Sequence, residues 1–353
     1  MTQATAPVLL FPTHYLGNFV LGIPWIAQIV RSDPNSLVVL DSCFQPLAEM
    51  ILPPETQILY YPRAQLASSQ PFFSRLKHYV TFLKALRSRK KSTLLDLEGE
   101  RFTGVLSLLS GCHQRVGPTG KRAERFYTRV LDLDYYRHRY NAFGEVCAEF
   151  TGGVTPSSNL QYAVDKALRE SVADKIAIDP KARPCVAIHP GASVEYKLWS
   201  RDYFIRLQAL LEEAGLQVLW VGAGTMDTAI IADIQERSPN ARSVSLCGQL
   251  NFAELVALFH ECHCFIGSDS GPMHLAASTG TPVFALFGPS KEAIWAPLGD
   301  NSQVLRGSKP CGEQCDAFAC DYNYQCLESL LPEQVIQAMT ARSLLPASDK
   351  VVS

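Results

Sequence analysis

Residues 265–290 read FIGSDSGPMHLAASTGTPVFALFGPS. Phe265-Ile266-Gly267 has the character of a buried strand end, Ser268 to Gly271 are turn residues, and Pro272 stands where a first helical residue tolerates losing its N–H. A short helix over Met273 to Ser278 follows, with Gly280 placed to close it, and Pro282 to Phe287 is a second buried strand running into a Gly-Pro turn. The spacing predicts a β-α-β unit. Small residues at a strand-to-helix junction leave backbone amides directed outward at the positive end of the helix dipole, an arrangement that binds phosphate. His274, one turn into the helix, is near enough to lean toward the same anion, and Asp269 offers a carboxylate to sugar hydroxyls. A plainer use of the same residues is a helix cap from Asp269 or Ser270 with His274 as a core histidine.

Outward from this unit, strands and helices alternate. In the first half, Val8–Phe11 is a buried strand, Pro12 to Asn18 a loop, and Phe19 to Val30 a helix. Leu37–Leu40, Ile58–Tyr60 and Ser92–Leu97 continue as strands, with helical patterns over Phe44–Met50, Phe72–Ser88 and the residues up to Leu109, and Gln114–Gly117 begins a further unit. Residues 118–140 are basic and aromatic and read as an irregular surface. An amphipathic segment from Gln161 to Asp174 and the polar stretch Asp179 to Pro184 read as a linker. The pattern restarts at Cys185–His189, whose strand empties into Pro190-Gly191-Ala192-Ser193, with Lys197 a few residues on. A strand over Gln217–Val221 ends in Gly222-Ala223-Gly224, and a helix over Phe252–His260 leads into the opening stretch.

Such alternation predicts parallel sheets covered on both faces, with ligands at the carboxyl ends of the strands. The expected division is residues 1–175 and 176–353, with the last helix, Pro332–Ala341, packing back across the linker and a ligand cleft between the halves.

Of the 353 residues, 47% are hydrophobic and 19% charged, and the apolar runs are too short to span a bilayer. The N-terminal stretch has no basic region ahead of its apolar run, so the expected location is the cytoplasm. Net charge is −2, but residues 1–150 carry 17 Lys and Arg against 12 Asp and Glu, while the remainder carries 15 against 22. The basic first half suits an anionic sugar or the inner face of a membrane, as a peripheral contact. Eleven cysteines are mostly scattered; Cys311, Cys315, Cys320 and Cys326 cluster, suiting zinc, iron, free thiols or a local disulfide, but lack the paired C-x2-C spacing of common zinc sites.

Gly267 to Ser290 resembles the block D-[ST]-G-x-x-H-L-A-A … FGP[ST] of the bacterial heptosyltransferases, glycosyltransferase family 9. His189 to Trp199 resembles the family's H-P-G-A-x(4)-K-x-W block, and the segment 326–335 (Cys-Leu … Pro-Glu-Gln-Val) looks most like the branch that adds the second heptose. The resemblance implies a GT-B fold, two Rossmann-like α/β domains facing each other across a cleft. It implies an inverting, metal-independent transfer of heptose from ADP-heptose to a lipopolysaccharide inner-core acceptor, by a monomer with no cofactor and no nucleic-acid partner. Donor-binding residues would be Gly17, Gly191, Ala192, Ser193, Lys197, Gly222, Asp227, Leu250, Asp269, Ser270, Gly271, Pro272, Met273 and His274; the acceptor would meet His14, Glu98, Arg101, Lys121 and Arg122. Lys197 and Asn18 would be catalytic.

Thr13 to Asn18 resembles a loop that ends in aspartate in the family, where it removes the acceptor's proton; here the residue is Asn18. A carboxamide positions a hydroxyl but does not take its proton near neutral pH. The base is then His14, Glu98 or Glu100, or the acceptor differs, or the position is impaired. Alternatives are a related transferase for another nucleotide sugar or acceptor, and a sugar-nucleotide-binding protein without catalysis. A dehydrogenase is disfavoured, because no G-x-G-x-x-G follows the first strand.

Overall fold

Continuous apolar runs bounded by turn residues become strands buried on both faces. The computed structural model describes residues 6–345 except 90, 135, 177–183, 309–319, 321 and 323. These divide into two compact units, residues 1–160 and 161–353.

Among the described residues, the first unit holds β1 (Val8–Phe11), β2 (Leu37–Asp41), β3 (Gln57–Tyr61), β4 (Thr93–Asp96), β5 (Gln114–Pro118) and β6 (Arg129–Leu131). They pair in the order β3-β2-β1-β4-β5-β6, every pair parallel. The second unit holds β7 (Cys185–His189), β8 (Gln217–Trp220), β9 (Val244–Ser245), β10 (Cys264–Ser268), β11 (Val283–Leu286) and β12 (Ser302–Leu305). Its order, β12-β11-β10-β7-β8-β9, is the same topology again, also parallel throughout. Each unit is thus a doubly wound α/β domain of the Rossmann type, as the alternation of strands and helices predicted.

In this topology the chain reverses its direction of travel across the sheet between the first and fourth strands. Loops leaving those two strands diverge to opposite faces and open a crevice at their carboxyl ends. The crevice lies at β1 and β4 in the first unit and at β7 and β10 in the second. Leu10 stands beside Asp96, and His189 beside Gly267, so each pair of loops departs from adjacent residues.

Packing fixes these strands firmly. Val186, Ile188, Phe204, Leu207, Trp220, Ile266 and Phe284 belong to one buried cluster in the second unit; Val8, Leu10, Leu37, Val39, Leu94 and Leu106 belong to one in the first. At about 25 cal/mol per Å2 of apolar surface removed from water, each such side chain contributes roughly 1.5–3 kcal/mol, which holds the loop origins still.

Several expectations change. The first helix is Leu16–Ser32 rather than Phe19 onward, so Gly17 and Asn18 sit in its first turn and not in a loop. Residues 118–140 are not simply irregular surface: β6 lies here and Tyr127 is buried. The helix Lys166–Ile176 packs on Phe252–Glu261 and is therefore counted in the second unit, before the expected boundary at 175. Of the expected linker, residues 179–183 lie outside the described residues. The helix Pro332–Ala341 packs against Arg201–Glu213, with Val335, Ala338 and Met339 in the core of its own unit.

Candidate active site

In the second unit, loops after β7, β8 and β10 are tied together through one histidine and one aspartate. His189, the last residue of β7, directs Nδ1 to Ser270 Oγ at 3.1 Å and Nε2 to Asp227 Oδ2 at 3.2 Å. Asp227, in the helix Thr225–Arg237, also accepts from the Ala223 amide at 2.7 Å. Burial alone would push the Asp227 carboxyl up, but the His189 ring and the Ala223 amide together outweigh it and hold it below the usual carboxylate range. Gly191 is required by this closeness, since a Cβ there would lie 1.8 Å from Asp227 Oδ1. The Gly248 amide donates to the Gly222 carbonyl at 2.9 Å, which sets the Cys247–Leu250 turn beside Gly222–Gly224. Half-buried Leu250 immediately precedes the capping box formed by Asn251 and Glu254.

The helix containing the opening stretch runs Gly271–Ser278, two residues earlier than the spacing predicted. Ser270 occupies the N-cap position in extended conformation but makes no side-chain cap; its hydroxyl is turned to His189 instead. The first turn, with Gly271, Pro272 and Met273, therefore presents its positive end without a capping side chain from Ser270.

Lys197 Nζ donates to Asp269 Oδ2 at 2.6 Å, and Ser290 Oγ donates to the same oxygen at 2.7 Å. His274 Nε2 is 3.9 Å from Asp269 Oδ1. One carboxylate thus gathers an ammonium, a hydroxyl and an imidazole beside the helix start. Arg306, just past β12, donates to the Gly288 and Ser290 carbonyls, each at 2.6 Å, and pairs with Glu292, so it holds the Gly288–Ser290 turn in place. His189, Ser290 and Arg306 were not among the expected site residues. His189 and Ser290 lie within the two recognisable sequence blocks, whereas Arg306 carries no local signal.

In the first unit, the Leu97 amide donates to the Leu10 carbonyl at 3.1 Å, which brings the turn after β4 beside the loop after β1. The buried Thr13 hydroxyl is hydrogen-bonded to the Glu98 carboxyl and accepts from the Tyr15 amide at 3.3 Å. Burial pushes the Glu98 carboxyl up to about 8, and the neighbouring Asp96 and Glu100 add to this against the opposing pull of Thr13 and Arg63. Asp96 is fully buried, which raises it also; it shapes the turn by accepting from Tyr127 Oη at 2.6 Å and from the Glu98 and Gly99 amides at 3.0 and 3.2 Å. Arg63 pairs with Asp41 and donates to the Pro12 carbonyl at 2.6 Å, fastening the β1 loop to the end of β2. His14 is exposed, and burial of part of its ring, with the Arg63 charge, lowers its pKa.

A cavity of about 490 Å3 adjoins this turn, lined by Gly99, Arg101, Val105, Lys121, Arg122, Arg125 and Phe126. Arg101, Lys121 and Arg122, three of the five residues expected to meet an acceptor, thus line one cavity together with Arg125 and Phe126. Arg122 has φ of 66°, a left-handed conformation uncommon outside glycine, and this backbone kink precedes the turn Ala123–Arg125. Asn18 is half-buried in the first turn of its helix, beside Gly17.

Among the described residues no group of three or more His, Cys, Asp or Glu side chains stands close enough to hold a metal. Cys311 and Cys315 lie outside those residues; Cys320 is half-buried, with Sγ accepting from the Tyr324 amide at 3.4 Å, and Cys326 is buried.

The family described as glycosyltransferase family 9 (heptosyltransferase) matches residues 79–320. A lipopolysaccharide heptosyltransferase 3 from Escherichia coli K12 is 24% identical over 299 residues, covering 82% of this chain and 84% of that one. A crystal structure of a family 9 glycosyl transferase from Veillonella parvula superposes with TM-score 0.81 at 22% identity, covering 98% of both chains. The E. coli ADP-heptose lps heptosyltransferase II superposes with TM-score 0.75 at 18% identity, covering 95% of this chain and 98% of that one.

Proposed function

Because the chain belongs to glycosyltransferase family 9, we propose that it moves heptose from ADP-heptose to an anionic sugar of the lipopolysaccharide inner core, with inversion and without a metal ion. It is a glycosyltransferase by family, and the two solved relatives share its double Rossmann-type fold, GT-B. The donor and acceptor come from the heptosyltransferase names those relatives carry. The observation that carries the reading is the placement of Lys197 and the Gly271–Ser278 helix start at the β7–β10 crevice.

In this reading the second unit holds the nucleotide. The diphosphate lies against the Gly191–Ser193 loop and the amides of Ser270 to Met273, with Lys197 turning from Asp269 toward the phosphate and His274 supporting it. Helix dipole and ammonium neutralise the charge that grows on the departing ADP, the task a divalent ion performs elsewhere. Adenosine lies along Gly222–Gly224 and Leu250, and Asp227 and His189 keep those loops in register. The heptose hydroxyls meet Asp269.

The first unit holds the acceptor, its phosphate or carboxylate groups in the cavity of Arg101, Lys121, Arg122 and Arg125, and His14 and Gly17 near the reacting sugar. The acceptor oxygen forms a bond to the heptose anomeric carbon from the face opposite the phosphate, the carbon–phosphate oxygen bond breaks, and ADP leaves with the electron pair. Glu98 takes the acceptor's hydroxyl proton; Asn18 orients that hydroxyl by hydrogen bonds. Of the three candidate bases, Glu98 combines a place at the β1–β4 crevice with a proton affinity near neutrality, which general-base chemistry favours. Asn18 alone favours a second reading, binding of a nucleotide sugar without transfer.

Nucleotide choice is read from thermal denaturation with ADP, UDP, GDP and NAD. ADP at 100 times its dissociation constant should stabilise the protein by about 2.7 kcal/mol, with less from the others at equal concentration. Stronger stabilisation by UDP, GDP or NAD would remove the ADP-heptose reading.

A further inference from the structure

The helix Phe72–Ser88 in the first unit keeps one apolar face and leaves another uncovered. Its buried face is Phe82 and Leu86, with Tyr79 and Leu83 packed against the same core. On the outer side Phe72 is 66% exposed, Phe73 82%, Leu76 48% and Val80 39%. Phe72, Leu76 and Val80 recur every four residues, so they form one row along the helix, and Phe73, Lys77, Val80 and Lys84 form the row beside it. Large apolar side chains exposed in isolation need no partner, but four on adjoining rows of one helix make a patch.

Charge identifies what covers it. The helix contains Arg75, Lys77, Lys84 and Arg87 and no Asp or Glu, and Arg89, Lys90 and Lys91 follow directly. Arg75 and Arg87 donate to the Leu66 and Leu109 carbonyls. Among the described residues, Lys77 and Lys84 make no ion pair, and both flank the apolar rows. Protein interfaces are depleted in lysine relative to the rest of the surface. A helix with phenylalanines and leucine on one strip, lysines at its edge and no acid is suited instead to the boundary between acyl chains and anionic headgroups. No described helix is long and apolar enough to cross a membrane, so the contact is one of lying on the surface.

We propose that Phe72, Phe73, Leu76 and Val80 insert into the headgroup region of an anionic phospholipid bilayer, with Lys77 and Lys84 on its phosphates. This surface is separate from the residues assigned to donor and acceptor, so its test stands apart from the transferase reading.

The test is flotation of the full chain with vesicles of phosphatidylglycerol and phosphatidylethanolamine, compared with phosphatidylcholine alone. Binding to the anionic vesicles should exceed that to phosphatidylcholine by at least about tenfold and weaken as salt rises. Replacing Phe72 and Phe73 together by Ser should reduce vesicle binding by roughly tenfold or more, and Lys77→Gln with Lys84→Gln should abolish the preference for anionic lipid. Both double variants should keep the wild-type melting temperature, since the side chains are exposed. Failure of the wild type to float, or flotation unaltered by the Phe72→Ser, Phe73→Ser pair, would overturn the proposal. Concentration-dependent self-association lost in that pair, without vesicle binding, would assign the face to another copy of the chain.

Discussion

Replacing Glu98 by Gln is expected to lower kcat/KM by about 10²- to 10⁴-fold, the usual contribution of a positioned general base. In the wild type, kcat/KM should rise with pH and level off near pH 8, because Glu98 must lose its proton before it can take another, and its carboxyl is pushed up to about 8. Below that pH the protonated form dominates and the rate should fall about tenfold per unit. Groups facing the carboxyl are Thr13 from the β1 loop, Arg63 near the end of β3, and Asp96 and Glu100 on its own segment. Glu98→Gln should remove this limb as well as lower the rate. Asn18→Asp in the Glu98→Gln background should restore turnover if the acceptor hydroxyl lies between the two positions. A Glu98→Gln enzyme with wild-type rate and an unchanged pH profile would exclude Glu98 as base and return the choice to His14 or Glu100. Retention of ADP binding by the variant distinguishes loss of the base from loss of the fold.

Lys197→Ala is expected to lower kcat by roughly 10²- to 10³-fold, the scale seen when one preorganised group facing a developing negative charge is removed. It should also destabilise the ligand-free protein. Asp269 is buried and receives the Lys197 ammonium at 2.6 Å, so among the described residues deleting the lysine leaves the carboxylate with the Ser290 hydroxyl and, farther off, His274. Breaking one side of a buried pair costs up to about 3–5 kcal/mol. The two effects are separable. Lys197→Ala with Asp269→Asn should recover most of the melting temperature, because the unpaired charge is gone, yet remain as slow as Lys197→Ala in transfer. Recovery of activity along with stability would show that Lys197 serves only to neutralise Asp269.

Most of the strands, and the loops proposed to hold the donor, are legible in the sequence, for one reason. β1, β2, β4, β7, β8, β10 and β11 are buried along their whole length, and each is built on a continuous apolar run with any polar residue, such as Asp41, Thr93, Asp96, His189 or Gln217, at its end. Buried parallel strands require this pattern. β6 and β12 escape it because they are edge strands, three and four residues long and partly exposed, held by backbone hydrogen bonds to one neighbour each. Nothing in their composition need differ from a loop. The helix Arg139–Cys147 is missed for a related reason: Tyr140, Ala142, Phe143, Gly144, Val146 and Cys147 are all buried, and the polar face is narrow, with Asn141 and Glu145 one turn apart.

The site divides in the same way. Lys197, Asp269 and the Ser270–Gly271 helix start follow from small-residue loops after buried strands, and those loops do adjoin, because β7 and β10 are neighbours. Contacts made across long separations are invisible locally. Arg63 reaches Asp41 and Pro12 from 22 and 51 residues away, and Tyr127 reaches Asp96 across 31. The raised proton affinity of Glu98 is likewise a property of the burial around it and not of the Leu-Glu-Gly sequence in which it stands.

The central claim is that charge on a departing ADP is met by helix amides and Lys197 while the acceptor's proton passes to the first unit. Its most direct measurement is ADP release from ADP-heptose in the presence of a truncated lipopolysaccharide core acceptor and excess EDTA. The account predicts acceptor-dependent release at a rate unchanged by the chelator. Absence of release, or release that requires an added divalent metal, would contradict it.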